Sequence, residues 1–129
     1  MERACSNAKA LAEFLNTYPD ITVNYPGLAC SPWHDVADKV LANGYGAILT
    51  IRVGSKERAF SVINNLSIPK IVSNIGDTKT LIIHPESTLN AHSTEKEKED
   101  AGVFDDLIRI SVGIEDIEDL IEDFKAALA

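Results

Sequence analysis

The segment Leu107-Ile108-Arg109-Ile110-Ser111-Val112 is the most informative part of the sequence for the fold. Side chains alternate between the two faces of a β-strand, so this segment directs both isoleucines and Val112 to one face and Arg109 to the other. The first face is a continuous apolar surface that helices can cover. The pattern therefore predicts a strand whose sheet has one buried face, with an arginine in the middle of its second face.

Arg109 needs an anionic partner if it is buried, because an unpaired buried charge is costly. The planar fork of a guanidinium binds a carboxylate through two parallel hydrogen bonds. The strand pattern leaves two partners open: a ligand carboxylate, or an acidic side chain of this same chain. Arg52 is a second arginine near a strand end, but Gly54-Ser55-Lys56 follows closely, and we interpret it as an exposed strand terminus.

Apolar periodicities and turn residues predict the other helices and strands of the chain. The first helix is predicted over about 3–17, and the second runs from an N-cap at Ser31, with Pro32 in the first turn, through Leu41. A third helix is predicted after Gly54-Ser55, and a short one begins at the Thr94–Glu97 capping box. The last helix follows the apolar stripe from Ile117 to Leu128. Strands are predicted at 21–25, 47–53, 71–72 and 81–83. The order predicts an α/β fold, an α+β sandwich with one small, mainly antiparallel sheet covered by helices.

Composition excludes several classes of function. The chain has 129 residues, a formal net charge of -8 and no basic cluster, which argues against a nucleic-acid partner. Its apolar stretches are too short to cross a membrane, and it lacks an apolar signal core. With Cys5 and Cys30 interpreted as reduced thiols, we expect a cytoplasmic protein.

The sequence contains no strong catalytic or metal-binding signature. It lacks a Gly-rich dinucleotide motif, a P-loop and a nucleophile elbow. His34, His84 and His92 lack metal-ligand spacing, so we interpret them as capping or surface histidines and predict no metal site. The acidic residues of the last helix are interpreted as a solvated face. A hydrophobic face already runs at Ala4, so we expect the chain to be cut from a longer protein.

The segment Leu107 to Asp116 (LIRISVGIED), followed by Leu120-Ile121, resembles the C-terminal signature of the Cys/Met-metabolism enzymes that use pyridoxal phosphate, the cystathionine γ-synthase-like group. Other blocks resemble the family in the same order: Asn7-Ala8, Ala12 to Leu15, Asn24 to Leu28, Gly46 to Thr50, Asn74 to Asp77, Leu81 to Pro85 and Ala101 to Val103. The resemblance covers essentially the whole chain and is greatest for the O-acetylhomoserine sulfhydrylase (aminocarboxypropyltransferase) branch.

The resemblance implies that residues 1–129 are the C-terminal domain of a fold-type I pyridoxal-phosphate enzyme whose large cofactor-binding domain is absent from this chain. It implies a homotetrameric parent enzyme of methionine biosynthesis and cysteine metabolism, which acts on a small amino acid by γ-replacement. The family's cofactor lysine lies in a Ser-x-Thr-Lys-type motif, which Asp77 to Thr80 echoes only superficially. We therefore expect no catalytic residue and no bound cofactor in this chain, and no activity from it alone.

By resemblance, Arg109 is the arginine that binds the substrate α-carboxylate. Asn74 stands where many relatives carry a serine in a Ser-Leu-Gly turn that lines the active site, and its backbone would shape the carboxylate pocket together with Gly76. The segment His84 to Thr88 resembles the family's loop near the active-site cleft, and the resemblance assigns it no specific role. Three alternatives stay open: a domain of a cystathionine γ-synthase or γ-lyase, a stand-alone amino-acid-binding regulatory module, and a structural domain in which Arg109 pairs with an internal carboxylate.

Overall fold

The structure, a computed structural model, describes residues 1–129. It contains a five-stranded sheet with helices packed on one face. The helices, in chain order, are α1 (Glu2–Leu15), α2 (His34–Val40), α3 (Lys56–Asn65), α4 (Glu95–Asp100) and α5 (Ile117–Leu128). The strands are β1 (Thr22–Asn24), β2 (Ile48–Arg52), β3 (Lys70–Ile71), β4 (Leu81–Ile83) and β5 (Leu107–Ser111). All of the predicted helices and strands are present, with bounds that differ by a few residues.

β5, which carries Arg109, is the central strand of the sheet. The spatial order is β1-β2-β5-β4-β3, and every neighbouring pair is antiparallel except the β3–β4 pair. The prediction of a small, mainly antiparallel sheet is therefore confirmed. Arg109 lies between Thr50 on β2 and Ile83 on β4, so both of its neighbours in the ladder belong to this chain.

The two faces of the sheet differ as the alternation in β5 predicts. Ile108, Ile110 and Val112 are buried in the main core against apolar residues of α1, α3 and α5. The opposite face carries Arg109 and lacks such a helical cover. Burial of the apolar face supplies the main driving force for this arrangement, and the polar face is left available for a ligand or partner.

Local sequence signals account for several helix ends. Ser55 accepts a hydrogen bond from the Arg58 N–H at the start of α3, and Asp116 caps α5 in the same way. Thr94 and Glu97 form both halves of the predicted capping box at α4. None of the helices has the length and apolar composition that a membrane span requires.

The predicted N-cap of the second helix is wrong. Ser31 lies in a turn before the helix, where its hydroxyl accepts from the Trp33 N–H at 3.3 Å, and α2 begins at His34 with Trp33 in the cap position. The apolar residues of this helix also fail to enter the core. Trp33, Val36 and Val40 are exposed, and Ala37 is the one buried residue of α2.

Asn7 joins α1 to the segment that follows β5. Its buried side-chain amide donates to the carbonyl oxygens of Gly113, at 3.1 Å, and Glu115, at 2.7 Å. We expect Asn7→Ala to lower the free energy of unfolding by about 2 kcal/mol, because both acceptors lose their partner in a poorly solvated place. Urea denaturation measures the loss. Asn65→Ala, at an exposed position, is the control and should change stability by less than about 0.5 kcal/mol.

Candidate functional site

A cleft of about 450 Å³ lies on the polar face of the sheet, between the strands and the segment that runs from Pro85 to Phe104. Its thirteen lining residues are Thr22, Asn24, Thr50, Arg52, Pro85, Leu89, Asn90, Ala101, Gly102, Val103, Phe104, Leu107 and Arg109. Two are arginines and none is acidic, although the whole chain has a net charge of -8. The cleft is therefore a locally positive site that favours an anionic ligand.

Arg109 forms no ion pair with any carboxylate of the chain. One terminal nitrogen, Nη2, donates to the carbonyl oxygen of Ser73 at 2.6 Å, and the other guanidinium N–H groups have no partner within the chain. The internal salt bridge considered from the sequence is thus absent. A guanidinium that is held by one neutral acceptor keeps its charge and most of its donors for an external anion.

The loop from Ser73 to Thr80 is bonded to the sheet by every second residue of the segment from Arg109 to Glu115. The next residue on the same face, Ser111, is buried and accepts a hydrogen bond from the Gly76 N–H at 3.1 Å. Gly76 has a φ of +78°, a conformation that glycine adopts without strain. These contacts fix the backbone that supplies the Ser73 carbonyl to Arg109.

The same alternation continues past the end of β5. The Gly113 N–H donates to the Thr80 hydroxyl at 3.0 Å, and the Glu115 carboxylate accepts from both the Thr80 N–H, at 2.7 Å, and the Thr80 hydroxyl, at 2.8 Å. The Ile114 N–H donates to the Thr78 carbonyl at 2.8 Å. The segment from Arg109 to Glu115 therefore closes both ends of the loop.

The structure brings the three residues predicted for the site close in space, but in different ways. Arg109 lines the cleft, and its contact with Ser73 puts it beside Asn74. The Asn74 side chain is exposed and forms no hydrogen bond within the chain, whereas Gly76 contributes its backbone N–H to the loop fastening. Neither Asn74 nor Gly76 lines the cleft, so their predicted roles in substrate binding stay predictions.

Arg52 is more than an exposed strand terminus. Its Nε donates to Asp106 Oδ1 at 2.9 Å, and its guanidinium carbon lies 3.9 Å from the centre of the Phe104 ring. Asp106 is buried and also accepts from the Gly54 N–H at 3.0 Å. Sequence reasoning identified Arg52 but missed its contacts with Asp106 and Phe104, which join segments far apart in the sequence.

The far wall of the cleft is tied to the body of the domain by the Glu86 carboxylate. Glu86 accepts from Lys56 Nζ of α3 and from Lys98 Nζ of α4, both at 2.9 Å. These two hydrogen bonds lower the pKa of Glu86 to about 2. The Lys98 pair therefore joins two parts of the long polar segment to each other, and the Lys56 pair joins the segment to α3.

The Glu86 pair predicts a specific acid sensitivity. Because the folded-state pKa lies below the unfolded value of about 4.5, ionised Glu86 stabilises the fold above pH 4.5, and the contribution is lost as pH falls towards 2. Glu86→Gln should therefore be less stable than the parent chain at pH 7, and the difference should shrink between about pH 5 and 2. Glu99→Gln, at an exposed carboxylate of α4 that forms no salt bridge, is the control. A difference that stays constant with pH would contradict the prediction.

His84 is buried, which corrects its interpretation as a capping or surface histidine. One ring nitrogen lies 2.7 Å from the Ser87 hydroxyl and the other 2.6 Å from the Asp105 carbonyl oxygen. Its ring also packs on Phe60, with 4.7 Å between ring centres. His84 thus joins the start and the end of the segment that forms the far wall of the cleft.

The residues of the cleft do not fit pyridoxal phosphate itself. Enzymes bind this cofactor through a lysine Schiff base, and none of the thirteen lining residues is a lysine. Lys79 lies in the fastened loop and is exposed, outside the lining of the cleft. The free arginine donors of the site suit an anion such as a carboxylate.

Comparison with known proteins gives one consistent result. The sequence model described as Cys/Met metabolism PLP-dependent enzyme matches residues 1–129. The chain is 42% identical to an L-methionine gamma-lyase of Fusobacterium nucleatum subsp. polymorphum, over 99% of this chain and 33% of the relative. It is 45% identical to a homocysteine synthase of Schizosaccharomyces pombe, over 99% of this chain and 30% of the relative.

A solved structure agrees with these relatives. A Campylobacter jejuni crystal structure, described as an O-acetylhomoserine (thiol)-lyase with N'-pyridoxyl-lysine-5'-monophosphate, superposes with a TM-score of 0.94 at 37% identity. The match covers 98% of this chain and 31% of that chain. The chain thus spans about a third of the length of the proteins it matches.

Proposed function

This chain belongs to the Cys/Met-metabolism family of pyridoxal-phosphate-dependent enzymes, and we propose that it is the C-terminal domain of an O-acetylhomoserine sulfhydrylase-type enzyme. In this proposal the rest of the enzyme binds the cofactor, and this domain binds the carboxylate of the amino-acid substrate. The match to only a third of each relative supports the division between two parts of one protein.

The observation that carries the proposal is the state of Arg109. It lies in the central strand, lines a cleft without acidic residues, and donates only to the Ser73 carbonyl. The unused N–H groups of its guanidinium match the two oxygens of a carboxylate. A guanidinium with a purely structural role would be expected to use more of its donors on acceptors of the chain itself.

A carboxylate held in this way would have a fixed orientation. Two parallel hydrogen bonds to one planar group define the plane of the carboxylate and restrict rotation of the bound amino acid. In the parent enzyme this restriction would align the reacting bonds, an entropic contribution to catalysis. Attraction between the two charges alone would stabilise the bound substrate and the transition state equally, so orientation is the part that raises the rate.

The loop fastening supports the same role. Ser111 holds Gly76 in the middle of the Ser73 to Thr80 loop and Glu115 holds the Thr80 end, which limits the movement of the Ser73 carbonyl that orients Arg109. A clamp that is held before the ligand arrives loses less entropy on binding. In the proposal, Asn74 and Gly76 shape the pocket beside Arg109 through the backbone of this loop.

A second candidate reaction is the γ-elimination of methionine, because an L-methionine gamma-lyase is 42% identical to the chain. The carboxylate clamp serves both reactions, since both begin with an α-amino acid. The two differ in whether a sulfur nucleophile replaces the γ-substituent or the γ-substituent leaves with no replacement.

Assays of the full-length protein separate these candidates. With O-acetylhomoserine and sulfide, we expect release of acetate and formation of homocysteine. With methionine alone, a γ-lyase would instead release a thiol, ammonia and a 2-oxo acid. Absence of both activities in full-length protein that is loaded with pyridoxal phosphate would contradict the proposed function.

A further inference from the structure

We propose that Asn43 is a site of spontaneous modification, at which the backbone nitrogen of Gly44 attacks the asparagine side chain and water completes its conversion to a carboxylate. The site lies in the connection from α2 to β2, outside the cleft that Arg109 lines. The proposal goes beyond the proposed function and does not depend on it, so either can fail without the other.

The reaction joins two neighbouring residues and consumes one water molecule. The N–H of the second residue gives up its proton, and its nitrogen forms a bond to Cγ of the asparagine. The bond from Cγ to Nδ2 breaks, and Nδ2 leaves with that proton as ammonia, so that a cyclic imide remains. Water then opens the imide at either of its carbonyl carbons. One opening gives aspartate, and the other gives isoaspartate, in which the main chain runs through the former side chain.

Glycine is the residue that obstructs this attack least. It has no Cβ beside the attacking nitrogen, and its backbone rotates more freely than that of any other residue. Asn43 is the one asparagine of the chain that a glycine follows. Gly44 has a φ of +120°, a conformation that side chains rarely permit, so the turn itself requires a glycine at this position.

Neither of the two reacting groups is held by a hydrogen bond. The Asn43 side chain is exposed and has no partner within the chain, and the Gly44 N–H donates to no acceptor. An N–H that is already donating must give up that bond before its nitrogen can attack. This is the case after Asn16 and Asn90, where the following N–H donates to a carbonyl oxygen three residues earlier, at 3.1 and 3.3 Å.

The chain around Asn43 is free to rotate towards the geometry that ring closure needs. None of residues 38–44 is buried, and no backbone N–H from Ala42 to Gly44 forms a hydrogen bond within the chain. The next tie to α2 is made by a side chain, since the Tyr45 hydroxyl donates to Asp38. Rotation at Asn43 therefore breaks no core contact and no backbone hydrogen bond.

Ageing of the full-length protein in ¹⁸O-labelled water tests the proposal. The folded protein is incubated at neutral pH, digested in ordinary water, and analysed by mass spectrometry of the peptide that contains Asn43. We expect a labelled oxygen in the new carboxylate, and separate chromatographic peaks for aspartate and isoaspartate. Asn74 is the internal control, because it is also exposed and unbonded but is followed by β-branched Ile75. Modification of Asn43 should be at least about tenfold faster than that of Asn74.

One variant and one further condition complete the test. Asn43→Gln has a longer side chain that would have to close a larger ring, so this variant should lose the labelled product and keep the kcat/KM of the parent enzyme. Incubation in guanidinium chloride removes any cover that the rest of the enzyme provides. If Asn43 reacts only in the unfolded protein, or no faster than Asn74 in the folded protein, the proposal is overturned.

Discussion

Replacing Arg109 with alanine in the full-length enzyme is expected to lower kcat/KM for the amino-acid substrate by about 10²–10³-fold. Removing one partner of a desolvated, hydrogen-bonded charge pair costs about 2–5 kcal/mol. Part of the loss should appear in kcat, because a substrate without its clamp is both weakly bound and poorly oriented. Steady-state kinetics over a range of substrate concentration measures both parameters.

The structure also predicts that this substitution hardly affects stability. Arg109 forms a single hydrogen bond, to the Ser73 carbonyl, so its removal should cost about 1 kcal/mol or less in the free energy of unfolding. Arg109→Lys keeps the charge but not the fork, and should recover only part of the activity. Lys9→Ala, at an exposed cation of α1 that forms no salt bridge, is the control and should match the parent enzyme. Severe unfolding of Arg109→Ala would favour a structural role.

Replacing Gly113 with alanine is expected to lower the free energy of unfolding by about 3 kcal/mol. A Cβ at this position would lie 2.3 Å from the Thr78 carbonyl oxygen and 2.6 Å from the carbonyl carbon of Lys79. Both are backbone atoms, so rotation of a side chain cannot relieve the contact. Overpacking of this kind costs about 1–3 kcal/mol and more when the backbone must move. The displaced loop carries the Ser73 carbonyl, so substrate affinity should fall as well.

Gly102→Ala separates the steric effect from backbone strain. Gly102 has a φ of +71° but open space around the added Cβ, whereas no positive φ applies at Gly113. We therefore expect Gly102→Ala to cost about 1–2 kcal/mol through its conformation alone. Urea denaturation of both variants provides the comparison. A Gly113→Ala chain that is as stable as the parent would show that the loop is not packed against this position.

Periodic sequence patterns were sufficient to predict most of the fold. The alternation in β5 assigned Ile108 and Ile110 to the core and Arg109 to the opposite face, because a strand has only two faces. The capping box at Thr94 identified α4 for a similarly local reason, since both of its hydrogen bonds join residues three apart.

Contacts between distant residues could not be predicted in this way. The Arg52–Asp106 pair joins residues 54 apart in sequence, and the bond from Arg109 to Ser73 joins residues 36 apart. Asp123 of α5 also forms contacts that the sequence does not predict, because the acidic residues of this helix were interpreted as a solvated face. Its carboxylate accepts from the backbone N–H groups of Ser67 and Ile68. Residue types indicate that such groups need partners, but only the packed chain decides which partners they find.

The start of α2 was predicted wrongly because two local signals compete there. Ser31-Pro32 has the form of a helix start, but the backbone from Leu28 to His34 forms successive turns, and α2 begins three residues after Ser31. A helix of seven residues gains little from its own hydrogen bonds, so small differences decide where it begins.

Carboxylate binding by Arg109 can be tested with two substrates that differ only at the α-carboxyl group, in full-length enzyme with and without Arg109→Ala. The parent enzyme should prefer the amino acid over its α-carboxamide by about 10²–10³-fold in kcat/KM, because the amide lacks the charge and one acceptor. If Arg109 binds the carboxylate, the variant should use both substrates with similar, low efficiency. If the variant loses the same factor with both substrates, Arg109 does not bind the carboxylate.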